Sequence, residues 1–205
     1  MILYHGSFAA DICYLEPRSK LHGSENEKVV YLSGSIPYAL VYIWDSQKTN
    51  YSRKYVTCAL KEGIVHYEEM FPDQLRELYE GVSGYLYFVE QTADMKHMPK
   101  THEDMFYCTS PVKVQKTIFI PDVYKEILHY EEEGLFKNSG FNDATKEVQA
   151  ERIERTAKWI EMCNFMDADL DQARFMKHYC KQAWELAERW RKEKIGGLSY
   201  GTKQY

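Results

Sequence analysis

The stretch "VYLSGSIPYALVY", residues 30–42, changes character at its middle. With Val29 in front, its first half is β-branched and aromatic up to Ser33 and stops at Gly34, which reads as a strand ended by a turn. Its second half offers Ser35 as a helix N-cap and puts Pro37 in the first helical turn, where the missing N–H is an orphan anyway. The sequence therefore predicts strand, tight turn and helix in quick succession. Tyr31 falls on the strand, and Tyr42 falls on the helix eleven residues later.

Outward from there, the N-terminal side begins with "ILYH", a short strand running into Gly6 and Ser7. A histidine at a strand end, followed by the least bulky residue, is either a ligand-facing position or an ordinary strand end. "KLHGSENEK" is polar and glycine-containing, hence a loop. On the C-terminal side "KYVTCAL", "GIVHYEEM" and "SGYLYFVEQ" read as strands, with "PDQLRELYEGV" a short helix before the last of them. "EDMFYCTSPVKVQKTIFI" reads as two strands broken at Ser110-Pro111.

From Pro121 the period lengthens. "PDVYKEILHYEEEGLF" opens a helix with Asp122 in its first turn, and two longer helical patterns follow over 143–164 and 168–194. In the last, Ala173, Met176, Cys180, Ala183, Ala187 and Trp190 recur in steps of three and four, marking one helical face. That stripe is expected to pack on its own domain rather than on a partner helix. The fold class is α+β, strands first and helices last. Residues 1–120 form the core, and 121–205 form a C-terminal helical extension packed on it.

Composition narrows function mainly by exclusion. No run approaches the roughly 20 apolar residues of a membrane helix, and the N-terminus has neither the basic nor the apolar part of a signal peptide. Five scattered cysteines, an odd number without a C-x-x-C pair, point to reduced thiols and a cytoplasmic setting. A net charge of −5 argues against a sequence-independent phosphate-tracking groove. "KHYCKQAWELAERWRKEK" is basic with interleaved tryptophans, but its charges alternate in sign, as on a solvated helix face. Metal frameworks are missing: His66 with Glu68 and Glu69, and His97 with His102, match no ligand spacing, and the histidines read as surface residues. There is no P-loop, no G-x-G-x-x-G and no G-x-S-x-G.

What remains is a constellation: His5 ending one strand, Tyr31 in the next clear one, Tyr42 after the turn, and Glu103 opening "EDMFYC". In this order and spacing the residues resemble the ADP-ribosyltransferase fold, in the His-Tyr-Glu class shared by diphtheria toxin and poly(ADP-ribose) polymerases. "LYHGS" resembles that family's first motif, "VYLSGSIPYALVY" its second, and "EDMFYCTSPVKV" its third. The resemblance covers roughly residues 1–120.

It implies an ADP-ribosyltransferase-like split β-sheet that binds NAD as co-substrate and cleaves its nicotinamide–ribose bond. Glu103 is then the catalytic residue, a carboxylate that stabilises positive charge at the ribose carbon. Tyr31 and Tyr42 sandwich the cationic nicotinamide ring. His5 holds a ribose hydroxyl, and Gly6, followed by Ser7, lets the backbone approach the carboxamide. Arg18 either meets the pyrophosphate or is a surface arginine, and Tyr38 either lines the cleft or packs beneath it. Thr101 stands where arginine-modifying members carry an acid or amide, which disfavours arginine as acceptor. The acceptor is otherwise open: protein, nucleic acid, small molecule, or water as in an NAD glycohydrolase. An inactive fold member acting as a binding module is the reading from another class.

Overall fold

The computed structural model describes residues 1–21, 24, 26–49, 51, 55–98, 104–167 and 171–199. In chain order its strands are β1 (Ile2–Ser7), β2 (Tyr14–Leu15), β3 (Ser19–Lys20), β4 (Lys28–Ser33), β5 (Thr57–Lys61), β6 (Ile64–Glu68), β7 (Gly84–Glu90), β8 (Lys96–His97), β9 (Met105–Cys108), β10 (Val112–Lys113), β11 (Lys116–Ile120) and β12 (Phe136–Ser139). The helices are α1 (Ile36–Leu40), α2 (Ser46–Thr49), α3 (Gln74–Tyr79), α4 (Val123–Glu132), α5 (Lys146–Met162), α6 (Asp171–Tyr179) and α7 (Lys181–Ser199). The chain is mixed α+β, as its pattern predicts, with an antiparallel sheet in the first part and most of the helix in the last.

The main sheet runs β11-β7-β1-β4-β9-β8, with β3 paired to β4. Its two faces bury different sets of residues. Leu3, Val30, Leu32, Tyr87, Val89 and Phe106 form one apolar layer under the short β2–β10 pair. The larger core lies elsewhere and joins Leu86, Met105 and Ile120 of the sheet to Tyr38, Leu40, Ile127, Ile160, Phe175 and Met176 of the helices. β4 is central and buried at five of its six positions or nearly so, hence its continuous apolar run rather than a clean alternation.

Three helix starts carry a side-chain cap. Ser35 accepts the Tyr38 N–H at 3.4 Å, Asp122 the Lys125 N–H at 3.2 Å, and Thr145 the Val148 N–H at 3.4 Å. Asp122 is thus the cap of α4 and not part of its first turn. Gly134 (φ 75°) turns the chain out of α4 in the left-handed conformation that glycine supplies without strain.

Four features depart from the sequence reading. Phe136–Ser139, inside the part expected to be helical, is strand β12, which pairs in parallel with β6 and completes a β12-β6-β5 sheet. The 121–205 segment is therefore an extension that also supplies a strand. "VKVQKTIFI" is not one strand: β10 pairs with β2, and β11 with β7. Tyr42 lies two residues past the end of α1, its N–H donating to the Ala39 carbonyl at 3.0 Å. The pattern over 168–194 is two helices interrupted at Cys180. The apolar steps stay in phase across the interruption, with Ala173, Met176, Cys180, Ala183 and Ala187 all buried in the main core, so the period alone does not reveal it.

Candidate functional site

Strand β1 holds β7 along its whole length, from Ile2↔Glu90 to Ser7↔Tyr85, and β4 holds β9 from Val30↔Cys108 to Ser33↔Met105. Between β1 and β4 themselves, among the described residues, the ladder has a single pair, Tyr4↔Ser33. The sheet opens beyond that point. At the opening lies a cavity of about 220 Å³ lined by Tyr4, His5, Gly6, Ser19, Tyr31, Leu32, Ser33, Tyr38, Ala39, Tyr42 and Met105.

His5 sits across this opening. Its Nδ1–H donates to the Tyr31 carbonyl at 2.9 Å, a bond from a side chain where a ladder would place a backbone N–H. Burial lowers the imidazole pKa below its usual 6.5, outweighing the carbonyl bond, which favours the proton. The ring is therefore neutral at pH 7, its one N–H is spent, and Nε2 is left as a lone-pair acceptor. A sugar hydroxyl needs such an acceptor.

Gly6 lines the cavity, but its missing side chain has a nearer reason. A Cβ there would stand 2.1 Å from the Ala39 carbonyl oxygen of α1. The glycine lets the helix close onto β1. That side of Gly6 faces α1, while the residue also borders the cavity.

Tyr38 is 3 % exposed and forms the cavity floor, whereas Tyr42 is 47 % exposed and forms its rim. The Tyr42 hydroxyl donates to that of Tyr38 at 3.2 Å, and the rings meet at 5.5 Å with a 50° tilt. Burial, with the neighbouring Tyr42, pushes the Tyr38 phenol well above its ordinary range, so it stays a neutral hydroxyl. Tyr38 both lines this cavity and packs in the main core. Tyr31 donates its hydroxyl to the Lys20 carbonyl at 3.0 Å, which ties β3 beside the cavity.

The other expected site residues are placed less centrally. The Ser7 hydroxyl accepts the Ala9 N–H at 3.2 Å in a local turn, and Ser7 does not line the cavity. Arg18 is exposed, next to the cavity-lining Ser19, and has no ion-pair partner among the described residues. Glu103, like Thr101 and His102, lies outside the described residues. Its nearest described neighbours are Asp104, whose carbonyl accepts the Gly34 N–H at 2.7 Å, and Met105, which lines the cavity.

Sequence reading missed Tyr4, Ser19, Leu32, Ser33, Ala39 and Met105. Leu32, Ser33 and Ala39 were legible as neighbours of Tyr31 and Tyr38 in one stretch; the others depend on which strands lie next to one another. Among the described residues no three His, Cys, Asp or Glu side chains form a group that could hold a metal ion. His66 and His97 are exposed, as expected; Glu69 is buried, its carboxylate accepting the Leu75 N–H at 3.0 Å and the Phe141 N–H at 2.8 Å. Among the described residues, no helix is long and apolar enough to cross a membrane.

No protein-family model, curated protein or solved structure matches the chain.

Proposed function

We propose that the protein is an NAD-dependent ADP-ribosyltransferase that works at the opening between β1 and β4. One observation supports this above the others: His5 and Gly6 of β1, Tyr31 of β4, and Tyr38 and Tyr42 in and just after α1 line one cavity at the point where the sheet stops pairing. The cavity, at about 220 Å³, is smaller than the roughly 300–1,000 Å³ of drug-sized sites. It suits one ring and one sugar, with the remainder of a dinucleotide outside, on the side of Ser19 and Arg18.

NAD supplies a cationic leaving group whose departure leaves positive charge on the ribose carbon. The residues of this chain do the rest. Tyr38 and Tyr42 present neutral aromatic faces and hydroxyls to the ring. Nε2 of neutral His5 accepts a ribose hydroxyl, while its Nδ1–H holds the imidazole to β4. Glu103, two residues before Met105, supplies the negative charge that matters most in the transition state. The acceptor is a macromolecule, a small nucleophile or water.

The test is incubation of the purified protein with NAD labelled in its ADP-ribose half, with and without cell extract. Nicotinamide release with label on a macromolecule or small molecule identifies a transferase; release with free ADP-ribose alone identifies water as acceptor. If millimolar NAD neither raises the melting temperature nor releases nicotinamide, the proposal fails.

A further inference from the structure

The pairing of β3 with β4 sets two like charges against each other. Ser19 stands opposite Val29, and Lys20 stands opposite Lys28. Directly opposed side chains of an antiparallel pair have their Cβ atoms roughly 4.5–5.5 Å apart, and like charges there destabilise the pairing. Both lysines are exposed, as is Arg18 just before β3. None of the three has an ion-pair partner among the described residues, and Glu16 and Glu27, the described carboxylates nearest in the chain, do not pair with them. A ladder this short has little stability with which to offset the repulsion.

The opposed lysines stand beside the β1–β4 cavity. Ser19 lines it, and the Tyr31 hydroxyl holds the Lys20 carbonyl at 3.0 Å. β4 pairs with β1 at Ser33 and with β3 at Lys28 and Val29, and the cavity opens between those positions. Alternate residues of a strand point to opposite faces. The lining nevertheless takes consecutive ones, Tyr4 to Gly6 from β1 and Tyr31 to Ser33 from β4, as a gap in the sheet does and a groove on one face does not. A ligand longer than the cavity therefore has a way out past Ser19 to the face on which Lys20 and Lys28 stand.

Resting on the function proposed for that cavity, we infer that its preferred co-substrate is the dinucleotide with a phosphate on its adenosine ribose, NADP, held there by the Lys20 and Lys28 ammoniums. The cavity, at about 220 Å³, takes the nicotinamide and its ribose. The pyrophosphate follows at Ser19 and Arg18, and the adenosine ribose comes after it. Arg18 matches the pyrophosphate, which leaves the two lysines without an anion when the co-substrate is NAD. A phosphomonoester carries about 1.5–2 negative charges at neutral pH. Placed between the two ammoniums it turns their repulsion into two attractions. Discrimination between the two dinucleotides elsewhere rests on the same chemistry, a cation beside the 2′-phosphate.

The test compares NADP with NAD in nicotinamide release by the full chain, and ADP-ribose with and without the added phosphate in calorimetry. The phosphorylated form should have the higher kcat/KM and the tighter binding, each by at least about tenfold, the effect of hydrogen bonds to a charged group. Lys28→Glu puts opposite charges across the pair, which favours the pairing of β3 with β4. That variant should melt no lower than the parent while both preferences disappear. Lys20→Ala should weaken both preferences without adding an acid. Equal handling of the two forms by the parent overturns the proposal, and so does a preference that survives in folded Lys28→Glu and Lys20→Ala. If neither dinucleotide releases nicotinamide, the proposed activity fails, and calorimetry still decides the lysine pair. Tighter binding of the phosphorylated ADP-ribose that Lys28→Glu abolishes sustains it; equal or absent binding overturns it. If a single-stranded oligonucleotide, and not the added phosphate, loses affinity in Lys28→Glu, the pair serves a nucleic acid and the proposal is likewise overturned.

Discussion

At the scale of single residues, desolvation and a carbonyl bond pull His5 in opposite directions, and desolvation is the larger. The folded imidazole therefore has a lower pKa than the unfolded one. Above about pH 6.5 neither state holds the extra proton, and the contribution to stability is fully present. As pH falls below that value the unfolded chain takes a proton that the fold does not, so stability is lost until the lowered folded pKa is passed. Urea midpoints at about pH 7.5 and 5.5 should show this loss in the parent and a smaller one in His5→Asn, which keeps a donor but does not titrate. An equal loss in both would locate the titrating group elsewhere. Glu103→Gln tests the charge at the proposed reaction centre. Nicotinamide release should fall by roughly two to four orders of magnitude while NAD affinity shifts only a few fold. Glu90, exposed opposite Ile2 and not lining the cavity, is the control, and Glu90→Gln should retain turnover. The reverse result would move the third motif to β7.

At the scale of elements, α1 has five residues and is too short to hold itself together. The Ser35 cap and the bare backbone of Gly6 keep it against β1, and Tyr38 and Tyr42 are placed as a consequence. Helix α5 is held differently. Arg152, 3 % exposed, donates to the carbonyls of Glu69, Ser139 and Gly140 at 3.2, 3.0 and 3.1 Å and to the Ser139 hydroxyl at 2.7 Å. One side chain thus joins α5 to the ends of β6 and β12. Arg152→Met should destabilise the fold by about 3–5 kcal/mol, because it strands buried acceptors and leaves Glu68 with one partner fewer. Arg155 also pairs with Glu68, but from an exposed position, and Arg155→Ala should cost less than about 1 kcal/mol. Denaturant unfolding of the two variants checks both values, and similar costs would mean that Arg152 acts as an ordinary surface pair.

At the scale of the whole molecule, the main core crosses residue 120. It unites Leu40, Val65 and Leu75 with Ile127, Phe136, Ile160 and Phe175. A fragment of residues 1–120 should therefore lack a cooperative thermal transition and a dispersed amide spectrum; a sharp transition would show that the segment folds alone. Much of the architecture was nevertheless readable locally. Strand β4, the Ser35 start and the buried stripe of α6 and α7 follow from residue type and spacing, which act over a few positions. The order of His5, Tyr31, Tyr38 and Tyr42 along the chain was equally plain. That they line one cavity was decided only by the tertiary structure, through the failure of β1 and β4 to pair beyond Tyr4. The same holds for β12, whose "FKNS" has no strand period and becomes a strand by pairing with β6. The reason for Gly6 lies in Ala39, on a different element. Local propensity is set by neighbours in sequence, whereas pairing partners and close approaches are set by distant groups competing for the same space and hydrogen bonds.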